Sequence, residues 1–149
     1  MGKWGVLAYV FYSQRIFTIM ATLFTKILNH EIPGHFVYED EQCGVFLSIA
    51  PLRQGHLLVV PRHEADHWID LTEEEAGHCF KIAQRLGKVL MRAFKPRKIG
   101  LIIAGLEVPH AHVHVVPIQD ESDLDFTKAK EASQESLAET AQIIRQNME

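Results

Sequence analysis

Three histidines occupy alternate positions in the segment Pro109–Pro117, which reads PHAHVHVVP. This alternation of polar and small or β-branched residues predicts a β-strand. Because residues i, i+2 and i+4 of a strand point to one face, His110, His112 and His114 are expected to share a face, and the apolar residues between them the other. Three polar imidazoles on one face are poorly suited to packing in an apolar core, so the pattern indicates a catalytic or ligand-binding site.

A metal ion is one ligand that such a face can bind. The outer two histidines of a straight strand lie about 13 Å apart between Cα atoms, whereas a zinc–nitrogen bond is only about 2.0–2.1 Å long. Two of the three histidines can share a zinc ion comfortably. A good site then requires a third ligand from elsewhere in the chain, such as His56.

Nucleophilic chemistry at phosphorus is the second interpretation, and buried histidines bonded to the backbone are the third. Strict alternation of three among only nine histidines disfavours a purely structural role. An imidazole nitrogen with a free lone pair can attack phosphorus and form a covalent intermediate, provided that a hydrogen bond holds the other ring nitrogen. His112 has a histidine on each side and is the natural nucleophile.

The elements around this strand predict an α+β fold, an antiparallel sheet with helices packed on it. Helical spacing of apolar residues, capping residues and period-two runs give the order α-β-β-β-α-β-β-α, which lacks regular βαβ alternation. Thr72 and Glu75 form a capping box at the start of the longest helix. The predicted elements are a helix over 21–29, strands over 35–39, 43–49 and 56–60, a helix over 72–94, a buried strand over 99–104, the histidine strand, an acidic loop over 120–125 and a helix over 130–148.

The length, composition, net charge and cysteine content limit the class of protein. The chain has 149 residues, 47% of them apolar and 23% charged, which is typical of one globular domain. Its net charge of -4 disfavours a nucleic-acid or membrane partner. Cys43 and Cys79 form no C-x-x-C pair, so a reducing cytoplasm is expected. We expect residues 1–19 to be an N-terminal extension and 20–149 to form the domain, including a C-terminal helical tail.

Several segments together resemble the histidine triad (HIT) family. The run HAHVHVV matches the pattern His-φ-His-φ-His-φ-φ, in which φ is hydrophobic. The segment Gly55–Arg62, GHLLVVPR, is similar to the family's G-H-x-L-V-I-P-[KR]. Leu23–Ile27 and Glu31–Pro33 resemble its amino-terminal helix and E-I-P turn. The resemblance extends from about Met20 to Pro117 and is greatest to the bacterial HINT-like branch.

This resemblance implies an enzyme that binds a purine nucleotide or nucleotide conjugate and acts at its α-phosphate. Phosphoramidates, dinucleoside polyphosphates and other nucleotidyl adducts are the implied substrates. His112 would form a nucleotidyl-histidine intermediate, His114 would bind phosphate oxygens, and His110 and His56 would orient the nucleophile. The implied fold is a five-stranded antiparallel sheet that continues across a homodimer, and the chemistry needs no metal cofactor.

The nucleotide-binding residues implied by the resemblance also contain the differences from the family pattern. Ser48 replaces the family's ribose-binding acid, and Leu106 and Glu107 replace a Gln and a Ser/Thr before the triad. These substitutions leave open a nucleotide-binding or scaffold protein with little turnover. His63 and His67, four residues apart, could bind adventitious zinc. The implied nucleotide contacts are Leu23, Phe24, Ile27, Phe46, Leu47, Ser48, Ile49, Gly105, Glu107 and Val108.

Overall fold

The computed structural model describes residues 21–149, so the extension predicted over residues 1–19 lies outside the described residues. Within them the order of helices and strands is the predicted one. Three short 3-10 turns lie in the connecting segments and begin at Trp68, Glu121 and Phe126. The elements are α1 (Leu23–Leu28), β1 (Phe36–Glu39), β2 (Cys43–Leu47), β3 (Leu57–Pro61), α2 (Glu73–Phe94), β4 (Lys98–Ile102), β5 (Val113–Ile118) and α3 (Gln134–Gln146).

The five strands form one sheet in the order β1-β2-β3-β5-β4, and every neighbouring pair is antiparallel. This arrangement confirms the predicted α+β fold. The histidine strand is shorter than predicted, because β5 begins at Val113 and contains only His114 of the triad. The segment before Val113 leaves the sheet where β3 ends at Pro61, and the N–H of Ala111 donates instead to the carbonyl of Ala65, at 2.7 Å.

The two faces of the sheet carry different cores. Helices α2 and α3 cover one face, and the larger core lies there, with fully buried Val45, Val59 and Val115. Helix α1 covers part of the other face and packs Phe24 and its neighbours against a smaller group of buried residues. Because side chains alternate along each strand, Val113 and Val115 of β5 face α2, while His114 points to the opposite face. The rings of His110 and His112, which precede β5, lie beside Phe24 of α1. The smaller core consists of Phe24, Ile27, Leu28, Phe46, Leu58 and Val60.

Helix α2 confirms the predicted capping box. The side chain of Thr72 accepts a hydrogen bond from the N–H of Glu75, and the Glu75 carboxylate accepts one from the N–H of Thr72. Apolar residues at three- and four-residue spacing predict a buried stripe on this helix that includes Cys79 and Phe80. Cys79 is buried, as this pattern predicts, whereas Phe80 is 61% exposed. One step along a helix turns a side chain by about 100°, which carries Phe80 past the edge of the buried face.

Strand β4 corrects the prediction of a fully buried strand over 99–104. It lies at the edge of the sheet, and Leu101 is 39% exposed. Side chains of β4 and the adjacent face of α2 border an open apolar groove of about 300 Å³. We call this the α2–β4 groove, and it is lined by Phe80, Ala83, Gln84, Gly87, Lys88, Met91, Ile99 and Leu101.

The chain after β5 is more ordered than the predicted acidic loop. Two 3-10 turns, Glu121–Leu124 and Phe126–Lys128, lead towards α3. The last helix is shorter than predicted. Its apolar residues at helical spacing, Leu137, Ala141 and Ile144, predict a narrow buried stripe, and all three are buried in the larger core. Among residues 21–149, no helix is both long and apolar enough to cross a membrane.

Candidate active site

The structure brings together the four histidines that the sequence singled out. His110, His56 and His112 are buried, with 0%, 1% and 6% of their surface exposed. His114 is half-buried, and its ring centroid lies 4.7 Å from that of His112 and 5.1 Å from that of His56. The predicted shared face therefore exists, although two of the three triad residues precede the strand.

The ring of His112 is held by a backbone carbonyl. Its Nδ1 lies 2.7 Å from the carbonyl oxygen of His110. A carbonyl can only accept a hydrogen bond, so Nδ1 of His112 carries the proton and donates it. The other nitrogen, Nε2, then keeps its lone pair. This is the tautomer that a nucleophilic imidazole requires, and the neighbouring residue's backbone selects it.

A second chain of hydrogen bonds fixes the tautomers of His56 and His114. The N–H of Leu52 donates to Nδ1 of His56 at 3.0 Å, so the proton of His56 sits on Nε2. That Nε2–H donates to Nδ1 of His114 at 2.9 Å. His114, when neutral, therefore carries its own proton on Nε2 and can donate it to an anion. His56 thus orients His114 and not, as predicted, the nucleophile His112.

His110 holds His112 through its backbone carbonyl, and its own side chain bonds to other groups. Its Nε2–H donates to the carbonyl oxygen of Pro61 at 2.7 Å. Its Nδ1 lies 2.7 Å from the hydroxyl oxygen of Thr22, at the start of α1. Both ring nitrogens of this buried histidine are therefore occupied, and its carbonyl oxygen is left to hold His112.

Burial lowers the pKa of all four histidines, because the protonated form loses its water. The pKa falls to about 4 for His56 and to about 3 for His114. Burial also lowers the pKa of His112, although its hydrogen bond to the His110 carbonyl and the nearby charge of Glu107 both act to raise it. The four imidazoles are therefore neutral near pH 7, as nucleophilic attack by His112 demands.

Glycines position the two segments that carry these histidines. Gly55, directly before His56, has a φ of +90°, and a side chain there would bring a Cβ within 2.7 Å of the Phe94 ring. Gly105, in the loop that leads to the triad, has a φ of +72°. Both conformations favour glycine over any residue with a Cβ. The backbone conformation and the close contact with Phe94 explain why a glycine precedes His56. The conformation of Gly105 explains the glycine in the loop that leads to the triad.

An apolar wall lies beside the nucleophile. The ring of Phe24 contacts that of His112 edge to face at 4.8 Å, and Phe46 lies 5.7 Å from Phe24 between centroids. Ile27 is buried in the same small core, and Val108 is half-buried against it. These four of the predicted base-contacting residues thus share one region next to His112.

The other predicted nucleotide contacts are placed differently. Leu47 is a correction, because its side chain lies in the larger core on the α2 side of the sheet and cannot line a pocket beside His112. Leu23 and Ile49 are exposed, at 45% and 60% of their surface. Ser48 donates its N–H to the carbonyl oxygen of His56 at 3.0 Å, and Glu107 is exposed in the loop before the triad.

The metal-ligating groups of the described residues do not converge on the triad. The three that lie close enough to share an ion are Asp40 and Cys43, at the turn between β1 and β2, and His78 on α2. Nε2 of His56 and Nδ1 of His114 bond to each other and not to a common ligand. The remaining pair has other partners: His63 bonds to Glu75, and His67 accepts from the N–H of Ile69. Binding of adventitious zinc by His63 and His67 stays a prediction.

Four groups at the site were not anticipated. They are the hydroxyl of Thr22, the carbonyl of Pro61, the N–H of Leu52 and the ring of Phe126, which lies 4.9 Å from the His114 ring. A threonine directly before an apolar helical run is a signal for a helix N-cap, so Thr22 could have been found as a cap. Nothing in a single sequence identifies backbone groups as histidine partners.

Comparison with known proteins agrees with this geometry. The HIT domain profile matches residues 29–121. This chain belongs to the HIT family. An uncharacterized HIT-like protein of Methanocaldococcus jannaschii is 32% identical over 83% of this chain and 98% of its own length. The family includes nucleotide hydrolases and nucleotide-binding proteins.

Two further HIT relatives extend the comparison. The adenosine 5′-monophosphoramidase of Saccharomyces cerevisiae is 30% identical over 79% of this chain and 82% of its own. A solved histidine triad nucleotide-binding protein of Sulfolobus tokodaii has a TM-score of 0.74 and 28% identity, and covers 84% of this HIT chain and 90% of its own. The sheet-and-helix architecture described above is therefore that of the HIT fold.

Proposed function

We propose that this HIT protein is a hydrolase or transferase that acts at the α-phosphate of nucleoside phosphoramidates or related nucleotidyl substrates. The observation that carries the proposal is the hydrogen bond from Nδ1–H of His112 to the His110 carbonyl, at 2.7 Å. It leaves Nε2 of the neutral His112 imidazole unprotonated within the cluster of four histidines. An imidazole held in this way is an activated nucleophile.

The reaction proceeds in two displacements. Nε2 of His112 attacks the α-phosphorus, a nitrogen–phosphorus bond forms, and the bond to the leaving group breaks as the leaving group takes a proton from solvent. Water then attacks the same phosphorus and gives its proton back to solvent, the bond to Nε2 breaks, and the nucleoside monophosphate and neutral His112 are released. His114 donates its Nε2–H to a phosphate oxygen and stabilises the charge that develops there. The histidines supply both the nucleophile and the donor, so the proposed mechanism has no metal cofactor.

The substrate class follows from the apolar wall and from the relatives. The buried ring of Phe24 contacts His112, and Phe46 packs behind it, so the surroundings of His112 on this side are apolar and aromatic, which suits a purine base. The related yeast protein is named an adenosine 5′-monophosphoramidase, which supports a phosphoramidate with an amine leaving group. A dinucleoside polyphosphate remains the second substrate within the same reaction class.

Single-turnover labelling tests this proposal. The protein is mixed with adenosine phosphoramidate that is radiolabelled at the α-phosphorus and quenched within the first turnover. We expect acid-labile label on the wild-type chain, none on His112→Ala, and normal labelling of His63→Ala, since His63 lies outside the cluster and pairs with Glu75. Absence of both label and product with the wild-type protein would refute the enzymatic assignment.

A nucleotide-binding protein with little turnover is the second candidate. Ser48 and Glu107 favour it, because an uncharged hydroxyl stands where the family usually has a ribose-binding acid, and an anion follows an apolar residue before the triad. Binding of adenosine monophosphate in calorimetry, without label or product in the single-turnover assay, would support this candidate over the first.

We also propose that two copies pair through the α2–β4 groove. Strand β4 lies at the sheet edge, and the groove beside it exposes Phe80, Met91 and Leu101. An exposed apolar surface continuous with an unpaired strand edge is a common protein–protein interface. A second copy of this chain would cover the groove and extend the five strands into a ten-stranded sheet, as the resemblance to the family implies.

A further inference from the structure

The hydroxyl group of Thr22 joins two parts of the molecule that are far apart in sequence. Its oxygen accepts the N–H of Thr25 at 3.1 Å and so caps the first turn of α1. The same oxygen lies 2.7 Å from Nδ1 of His110, which is 88 residues away in the chain. Thr22 and His110 are both buried, with 7% and 0% of their surface exposed, so water is largely excluded from this contact.

The direction of the Thr22–His110 hydrogen bond follows from the other partners. Nε2–H of His110 donates to the carbonyl of Pro61, so Nδ1 of the neutral ring must accept. The hydroxyl of Thr25 lies 3.5 Å from the same nitrogen, but its proton is engaged with the carboxylate of Glu64. The hydroxyl of Thr22 lies 3.3 Å from that of Thr25 and only 2.7 Å from Nδ1 of His110, so the shorter contact identifies Thr22 as the donor to Nδ1.

Through His110 this contact extends to the nucleophile. The carbonyl of His110 accepts the proton of His112, so the placement of His110 determines the direction of the His112 lone pair. Phe24, on the helix that Thr22 caps, contacts the ring of His112 at 4.8 Å and that of His110 at 6.1 Å. One hydroxyl thus connects the start of α1, its apolar wall and the triad.

We propose that Thr22 is a positioning residue for the reaction: its hydroxyl holds the His110 ring, whose tautomer the Pro61 carbonyl sets, in place and thereby aims Nε2 of His112. This inference rests on the proposed function. Thr22 does not touch the reacting atoms, so its loss is expected to lower kcat more than it raises KM. The apolar contacts of Phe24 do not depend on the hydroxyl and keep the substrate bound.

The test compares Thr22→Val with Thr22→Ser and with a matched control, Thr72→Val. Thr72 caps α2 as Thr22 caps α1, but its hydroxyl contacts no histidine. We expect Thr22→Val to lower kcat about 10- to 100-fold, by analogy with the loss of groups that orient metal-binding histidines. Thr22→Ser restores kcat, and Thr72→Val leaves it unchanged. Equal kcat in Thr22→Val and wild type would overturn the proposal.

A nitrogen-15 NMR measurement of the histidine rings separates this inference from the proposed function. In the wild-type protein we expect Nδ1 of His110 to be unprotonated and Nε2 protonated. The nitrogen-15 chemical shift of Nδ1 is expected to change in Thr22→Val, because Nδ1 loses its hydrogen-bond donor, but not in Thr72→Val. A protonated Nδ1 in the wild type would refute the inference, even if Thr22→Val does not fold. If the wild-type chain gives no turnover, the proposed function fails, while the NMR comparison still decides the link between Thr22 and His110.

Discussion

The Nε2–H of His56 donates a hydrogen bond to Nδ1 of His114 across 2.9 Å. The direction is set by the N–H of Leu52, which already occupies the other nitrogen of His56. Because a backbone group starts this chain, it does not reverse when substrate binds. His114 is consequently held with its Nε2–H free to donate, while His112 is held with its Nε2 free to attack.

The first prediction is that His56→Phe lowers kcat about 10- to 100-fold, by analogy with the loss of groups that orient metal-binding histidines. Phenylalanine keeps a buried ring but cannot donate to His114, so His114 loses its fixed tautomer. KM for the nucleotide is expected to change little, because His56 does not contact the apolar wall. Steady-state kinetics measure both constants, and circular dichroism checks the fold. A His63→Phe control, at an exposed position, should behave as wild type.

The pH dependence of kcat/KM should reflect the lowered pKa of His112. Attack requires the neutral imidazole, so activity is lost as the pH falls through the pKa of His112. Burial moves this pKa below the ordinary value, so we expect the acidic limb of the profile to lie below about pH 6.5. Glu107 raises the same pKa, and Glu107→Gln should therefore shift the limb to lower pH. A limb above the ordinary histidine value would contradict this interpretation.

Much of this arrangement could be predicted from local pattern. Period-two alternation placed the triad on one face, and the capping box located the start of α2 at Thr72. The partners of the histidines could not be predicted in the same way. The contacts of His56 with His114 and of Thr22 with His110 join residues 58 and 88 positions apart. Such contacts depend on how α1 and the loop before β3 dock on the sheet. Leu47 shows that a prediction can also fail locally. It was predicted to contact the nucleotide together with Phe46, but one step along β2 turns its side chain to the opposite face of the sheet.

Ser48→Asp is expected to strengthen binding of a ribonucleotide substrate. A carboxylate makes a stronger hydrogen bond to a ribose hydroxyl than a neutral serine does, by about 1 kcal/mol, which corresponds to roughly a fivefold lower KM. The comparison uses the adenosine phosphoramidate and its 2′,3′-dideoxy analogue in the same kinetic assay. The KM of the analogue should not fall, because it has no hydroxyl to bind. Ser48→Asn serves as the uncharged control, and an equal change with both substrates would show that Ser48 does not face the ribose.

Pairing of two copies through the α2–β4 groove predicts that Phe80→Glu produces a monomer. Phe80 is 61% exposed in the single chain, and in the proposed dimer a glutamate there would be removed from water opposite an apolar surface. Burying an unpaired carboxylate costs several kcal/mol, more than an interface of moderate size can offset. Ile69, outside the groove, is also 61% exposed, so Ile69→Glu is a control of equal exposure that should remain dimeric. Sedimentation velocity at micromolar concentration distinguishes the two variants. A monomeric wild-type chain at that concentration would refute the dimer, and dissociation by both substitutions would place the interface elsewhere.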